Sequence, residues 1–236
     1  MIILPAIDLH NGQCVRLQRG DYATAHKVAD NAVETAQRFI DAGASMIHVV
    51  DLDAAKGDVS VNGDVIAALC KLSVKIELGG GLRDMVCLER ADKLGITRMI
   101  IGSAAVRNPE FVSQAVAKYG DRIAIGIDAL NDDVKTDGWL QNSGVTSLDM
   151  AIDMEKRGVC TLIVTDIDKD GMLEGPNFAL YRTLREKLSC AIVASGGMSN
   201  HEDLRRLHDM GVDAAIVGKA AYSGGIDVAR AVRELE

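Results

Sequence analysis

A thirteen-residue segment occurs twice in this chain, and that repetition constrains the fold more than any other feature. Leu94 to Val106 (LGITRMIIGSAAV) aligns without gaps on Met210 to Tyr222 (MGVDAAIVGKAAY), an offset of 116 positions from Gly102 to Gly218. Gly80-Gly81 maps on Gly196-Gly197 at the same offset of 116, while Val50-Asp51-Leu52-Asp53 maps on Thr165-Asp166-Ile167-Asp168 at 115 and Asp8 on Asp128 at 120. Chance accounts for any one of these matches, but not for four in order at nearly constant spacing, so the second half of the chain is expected to repeat the first.

Eight short β-branched runs punctuate the sequence: Ile2 to Ile7, Met46 to Val50, Val74 to Leu78, Arg98 to Ile101, Ile123 to Ile127, Thr161 to Thr165, Ala191 to Ala194 and Ala214 to Val217. Their near-continuous hydrophobicity is that of strands buried on both faces, the habit of parallel sheets covered by helices. Between them lie helical patterns, such as Val33 to Ile40 and Phe111 to Tyr119, the latter opened by an Asn108 cap and Pro109. Eight strands alternating with eight helices, in two repeats, predict an α/β fold of the (β/α)8 TIM-barrel kind with half-barrels of approximately 1–120 and 121–236. A doubly wound open sheet offers no reason for the repeat.

The chain is expected to be a single domain over 1–236, because no Pro-, Gly- or Ser-rich linker or block of like charge interrupts it. No basic leader precedes the first strand and no apolar run approaches the ~20 residues that cross a bilayer, so a cytoplasmic protein is expected. The five cysteines are odd in number, scattered and free of C-x-x-C, which fits reduced thiols. A net charge of −8 supplies no field for nucleic acid or an anionic membrane, so an anionic ligand must be held by local devices.

Glycine-rich turns at strand ends are such devices. Gly79-Gly80-Gly81 and Gly102-Ser103 follow strands three and four, and Ser195-Gly196-Gly197 and Gly218-Lys219 follow strands seven and eight. Glycine lets the backbone approach a ligand and aim several amides at one cluster of oxygens, so phosphate is the expected ligand. Two such turn pairs across one barrel mouth imply a small molecule with two phosphates. A dinucleotide fingerprint is not supported, since Asp84 stands where the third glycine of G-x-G-x-x-G belongs.

Asp8 ends strand one and Asp128 ends strand five, which places them across the C-terminal mouth from each other, between the phosphate sites. One isolated Asp after a strand usually caps a turn, but the symmetric placement favours an acid and base flanking a substrate. Asp166 to Gly171 (DIDKDG) looks like the opening of a calcium loop, yet Asn177 stands where the closing Glu belongs, and no metal is expected. Asp170 and Thr165 remain candidates for positioning substrate or sharing proton transfer, with Asp166 and Asp168 read as solvated loop charge. Trp139, the only tryptophan, sits in a long polar connection from Ala129 to Ser147 and is read as a ligand contact ahead of core packing. His48 is as much a structural histidine as a group reaching the mouth.

At Leu4-Pro5-Ala6-Ile7-Asp8-Leu9, Val15-Arg16-Leu17, His48 to Asp53, Gly79 to Arg83, Thr165 to Ile167, Asp170-Gly171 and Gly175-Pro176-Asn177, the chain resembles the phosphoribosylformimino-5-aminoimidazole carboxamide ribotide isomerase family, essentially over its whole length. The resemblance implies an Amadori rearrangement of a bisphosphorylated aminoaldose in histidine biosynthesis, with no cofactor and no metal. It implies Asp8 as general base and Asp128 as general acid, although relatives have also assigned the acid role to the match of Asp170. The substrate contacts it implies are Arg16, Gly20, His48, Asp51, Arg83 and Trp139. A cyclase relative carries lysine where this chain has Arg16, and a dual-substrate relative that also isomerises phosphoribosylanthranilate carries arginine where Asp137 stands; both departures favour the single-substrate isomerase. A non-catalytic sensor of phosphometabolites is the alternative from another class. A monomer is expected, with loops after strands one, five and six as lids, notably 12–30 and 129–147.

Overall fold

The computed structural model describes all of residues 1–236. The first half runs β1 (Ile2–His10), β2 (Gln13–Gln18), β3 (Asp21–Ala29), α1 (Ala32–Asp41), β4 (Met46–Asp51), α2 (Leu52–Lys56), α3 (Gly63–Leu69), β5 (Lys75–Gly79), α4 (Met85–Lys93), β6 (Arg98–Ile101), α5 (Ser103–Arg107) and α6 (Pro109–Tyr119). The second half runs β7 (Ile123–Leu130), β8 (Asp133–Thr136), β9 (Gln141–Thr146), α7 (Ser147–Lys156), β10 (Thr161–Asp166), α8 (Phe178–Lys187), β11 (Ala191–Ser195), α9 (His201–Asp209), β12 (Ala214–Val217), α10 (Lys219–Ser223) and α11 (Val228–Leu235). Strands β1, β4, β5, β6, β7, β10, β11 and β12 pair in parallel in that order, and β12 pairs with β1 to close the barrel. This is the expected (β/α)8 barrel.

The repeat extends to backbone angles. β5 and β11, α4 and α9, β6 and β12, and α5 and α10 each span equal lengths at an offset of 116. Gly102 has φ −99° and ψ −109°, and Gly218 has −93° and −105°, while the helix caps Asp84 and Asn200 agree within a degree in both angles. Of the paired glycines, Gly80 needs its positive φ of 94° and leaves no room for a side chain, because a Cβ there would overlap the Asp51 carbonyl.

The two-residue strand period explains what fills the barrel and what sits at its mouth. Leu4 and Ala6 of β1, Ala124 of β7, Ile163 of β10, Val193 of β11 and Ile216 of β12 belong to one small buried cluster inside the barrel. The next inward positions along the same strands are Asp8, Gly126 followed by Asp128, Thr165, Ser195 and Gly218. A larger core, including Ile3, Ile7, Ile47, Ile125, Leu162 and Ala215, lies between strands and helices. The floor is also ionic: Glu77 of β5, fully buried, bonds His48 Nδ1 at 2.6 Å and accepts from Arg98 at 3.0 Å.

Two expectations need correction. The connections 12–30 and 129–147 are ordered antiparallel hairpins that extend barrel strands one and five: β1 pairs with β2 and β2 with β3, while β7 pairs with β8 and β8 with β9. Their turns, Asn11-Gly12 (φ 50° and 75°), Arg19-Gly20 (50° and 68°) and Asn131-Asp132 (51° and 65°), have the left-handed pairs that hairpin twist demands. The helices also outnumber the strands of the barrel, because short α2, α5 and α10 follow strand ends directly. No helix is long and apolar enough to cross a membrane, and all five cysteines are free.

Candidate active site

The inward strand ends line a cavity of about 220 Å³ at the C-terminal mouth. Asp8, Asp128, Thr165 and Asp170 all face it, as do Arg16, Gly20, His48, Arg83 and Trp139. Gly80, Gly81, Gly102 and Ser103 line the same cavity, whereas Gly196, Gly197, Gly218 and Lys219 line a smaller adjoining pocket. Asp8, Arg16, Asp170 and Ser195 border both, so the two pockets are continuous around the acidic groups.

Asp51 departs from the expected set. It lies outside both pockets and caps α2, its carboxylate accepting from the Ala54 amide at 3.1 Å, the Ser60 hydroxyl at 2.5 Å and the Asn62 amide at 2.8 Å. Its inclusion among substrate contacts is therefore corrected: being an odd-numbered neighbour of inward Val50, it points out of the barrel. His48 combines the two readings made of it, lining the cavity while bonded to Glu77. Lys135 and Tyr22 also line the cavity and were not singled out in the sequence, because both lie on hairpin strands read there as loop.

Arg16, on β2, reaches across to Asp8 as an ion pair. β2 carries it there because Asp8 is paired with Val15 in the β1–β2 ladder. Its guanidinium lies so close over Gly218 that any Cβ there would overlap it, and it also stands 5.8 Å from the Tyr222 ring centre. Lys219 donates to the Gly171 carbonyl at 2.8 Å. At the opposite cradle the Ser103 hydroxyl accepts from the Asp137 amide at 2.9 Å, and Asp137 is ion-paired with Arg107.

Asp170 and Asp128 are displaced from ordinary carboxyl behaviour. Burial pushes Asp170 up to about 6; Arg16 opposes the shift and the charges of Asp8 and Asp128 add to it. Burial also raises Asp128, against hydrogen bonds from Thr165 and Trp139 that favour its ionised form. Asp8 has the guanidinium as its partner. The arrangement can therefore hold one carboxylate and one carboxylic acid on a single ligand near neutral pH.

Trp139 donates Nε1–H to Asp128 at 2.8 Å from a left-handed backbone position, φ 73°. Its ring lies against Gly20 at the tip of the β2–β3 hairpin, where an added methyl would overlap it. The hairpin tip is fixed on its other side by the Arg19 amide, which donates to the Asp170 carbonyl at 3.1 Å. Replacing Gly20 by Ala strains a φ of 68° and expels the indole. As Trp139 is the only tryptophan, G20A should shift the intrinsic fluorescence to the red and raise KM about tenfold or more through loss of the preformed site; an unchanged emission spectrum would refute the contact.

A closed parallel barrel whose C-terminal mouth gathers three carboxyl groups between two glycine-rich turns defines the class: an α/β-barrel enzyme equipped for acid–base chemistry. Comparison with known proteins agrees. Residues 2–227 match the family described as histidine biosynthesis protein, and this chain belongs to that family. It is 44% identical over 234 residues to a Clostridium novyi protein, covering 99% of this chain and 98% of the relative. It is 46% identical to one from Clostridium botulinum (99% and 97% covered) and 45% identical to one from Herpetosiphon aurantiacus (100% and 99% covered). All three relatives are named 1-(5-phosphoribosyl)-5-((5-phosphoribosylamino)methylideneamino) imidazole-4-carboxamide isomerase.

Proposed function

We propose that this chain catalyses the reaction for which those relatives are named, converting the bisphosphorylated aminoaldose to its aminoketose by an Amadori rearrangement. The observation that carries the reading is the placement of Asp8 opposite Asp128 and Asp170 between two glycine cradles that repeat one another. The substrate has a phosphate at each end, and each end meets one cradle: Gly80, Gly81, Gly102 and Ser103 on one side, Gly196, Gly197, Gly218 and Lys219 on the other. Backbone amides freed by these turns, rather than net charge, hold the anions.

Asp170, raised to about 6 by burial and by the charges of Asp8 and Asp128, supplies the proton to the ribose ring oxygen. The C1–O bond then breaks, and the electron pair on the glycosidic nitrogen forms a C1=N imine. Asp8 takes the proton from C2, the C–H electrons form a C1=C2 bond as the C1=N pair returns to nitrogen, and the resulting enaminol becomes the ketose by taking a proton at C1 from Asp8 and giving its C2 hydroxyl proton to Asp170, which restores both groups. Asp128, tied to Trp139 and Thr165, fixes the indole over the cavity and shares in proton transfer. The steps need only proton movement, so the residues of the barrel suffice for them. The same reading places the enzyme in the cytoplasm as a monomer, since its own helices cover the sheet.

Turnover of the formimino aminoaldose by purified protein in metal-free buffer, followed as ketose formation, tests this directly. Conversion is expected, and its absence from folded protein would refute the reading. Phosphoribosylanthranilate should not be turned over, because Asp137, its carboxylate ion-paired with Arg107, stands where the dual-substrate relative carries arginine, so this position offers no cation to the anthranilate carboxylate. Appreciable conversion of that second substrate would refute the assigned specificity.

A further inference from the structure

The carboxylate of Asp166, at the end of β10, is joined to Asn177, at the start of α8, across the whole of the intervening loop. Asn177 donates Nδ2–H to Asp166 Oδ2 at 2.7 Å, while its own Oδ1 accepts the Leu180 amide at 3.1 Å and so caps α8. The other oxygen of Asp166, Oδ1, accepts the Asp168 amide at 3.1 Å. From there the chain turns tightly, Lys169 N–H donating to the Asp166 carbonyl and Asp170 N–H to the Ile167 carbonyl, each at 3.1 Å. One carboxylate thus closes the loop and shapes the turn that ends on Asp170.

The first half-barrel contains the same device at an offset of 115. Asn62, before α3, donates to Asp51 at the end of β4 at 2.8 Å. There the loop forms helix α2, and the position matching Asp170 is Ala55, which has no ionisable group. The clip is therefore part of the duplicated framework, and only the second copy carries an acid at the position of Asp170.

We propose that Asp166 and Asn177 are positioning residues for the reaction, a clip that holds Asp170 in its buried place against the substrate cavity. This rests on the reading of Asp170 as the acid. Asp170 faces Asp8, Arg16 and Asp128, and Lys219 meets the next carbonyl, at Gly171; none of these fixes where the turn begins. With the clip open, the turn loses its origin and water reaches the carboxyl group. The geometry then drifts by the ångström that separates a productive proton donor from an idle one.

The test separates the clip from the helix cap. Asn177→Asp retains an oxygen for the Leu180 amide but loses the donor and sets two carboxylates together, and Asp166→Asn sets two amides together. The swapped pair Asp166→Asn with Asn177→Asp can rebuild every hydrogen bond, with Asn at 166 now donating to Asp at 177. Each single variant should lose about tenfold or more in kcat with KM changed much less, and the limb of its pH profile near 6 should move toward acid. The swapped pair should recover most of the loss and the original profile.

A swapped pair no better than the singles, or singles as fast as the unaltered enzyme, would overturn the clip. Asn177→Ser, which keeps a capping oxygen without added charge, carries the test if Asn177→Asp does not fold: loss of kcat at an unchanged melting temperature supports the clip, and undiminished kcat overturns it. Asp170→Asn run alongside keeps the two ideas apart. If it retains turnover, the acid assignment falls and takes the clip with it; if it is inactive while Asn177→Asp is fully active, the clip alone falls.

Discussion

Asp8→Asn is expected to lower kcat by about three orders of magnitude or more, the range in which removal of an acid–base group falls, while leaving ligand binding intact. Asp8 has the one carboxylate in the cavity ion-paired to a guanidinium, that of Arg16, and a carboxylate is what abstracting a C2 proton requires. Asn is nearly isosteric and still accepts a hydrogen bond from Arg16, so the barrel should fold, although the guanidinium, with its side chain only 11% exposed, loses its counter-charge. Arg16 also lies over Gly218, at the second phosphate cradle. Releasing it from Asp8 leaves it free to face a phosphate there, so substrate affinity should hold or tighten. The pair of outcomes discriminates: loss of turnover with retained binding, measured by single-turnover kinetics and calorimetry, marks an enzyme, whereas a sensor would show no turnover in the parent protein and an unaltered ligand response in the variant. Turnover retained by Asp8→Asn would remove the proposed base.

Much of this site is legible in the sequence because its parts obey the strand period. Asp8, Thr165 and Asp128 stand two or four residues beyond apolar positions that fill the barrel, and inward direction follows from counting by twos. The repeat made the counting reliable, since a turn seen twice at the same offset is not accidental. Asp51 failed because resemblance, not periodicity, had nominated it; its neighbour Val50 is the inward residue. The hairpins failed for another reason. Gln13 to Ala29 shows weak alternation and few large apolar residues, and β3 is nowhere fully buried, so periodicity was faint. The Asn11-Gly12 dipeptide was the available signal, for it marks a two-residue hairpin turn in which both residues take positive φ. That turn sets β2, and with it Arg16, beside β1. Asp166, read as solvated loop charge, is instead bonded through both carboxylate oxygens, and was misread for a third reason: its partner Asn177 lies eleven positions away, and only the half-barrel offset, Asp51 to Asn62 and Asp166 to Asn177, hints at it.

Asp170→Asn should be the second variant with a large effect, and its signs differ between activity and stability. The burial that raises Asp170 to about 6 favours the protonated form in the folded protein, whereas in the unfolded chain the group titrates near ~4. Its folded pKa being the higher, the protein binds this proton more tightly than the unfolded chain does, and stability from this group is complete below pH ~4 and is lost as the pH rises through about 6. At pH 8 the wild-type protein carries the cost of a buried charge beside Asp8 and Asp128, at most about 3 kcal/mol for a shift of this size. Asn carries no charge, so Asp170→Asn should be more thermostable than the parent at pH 8, with the difference closing as the pH falls from 7 to 4. Activity goes the other way. The amide cannot donate the proton that opens the ribose ring, and kcat should fall by about two to four orders of magnitude at every pH. A stabilised, inactive protein at pH 8 is the signature of a group kept in an unfavourable environment for the sake of chemistry. Melting curves that stay parallel across pH for the two proteins would show that Asp170 is not strained in this way, and full activity in the variant would return the acid role to Asp128.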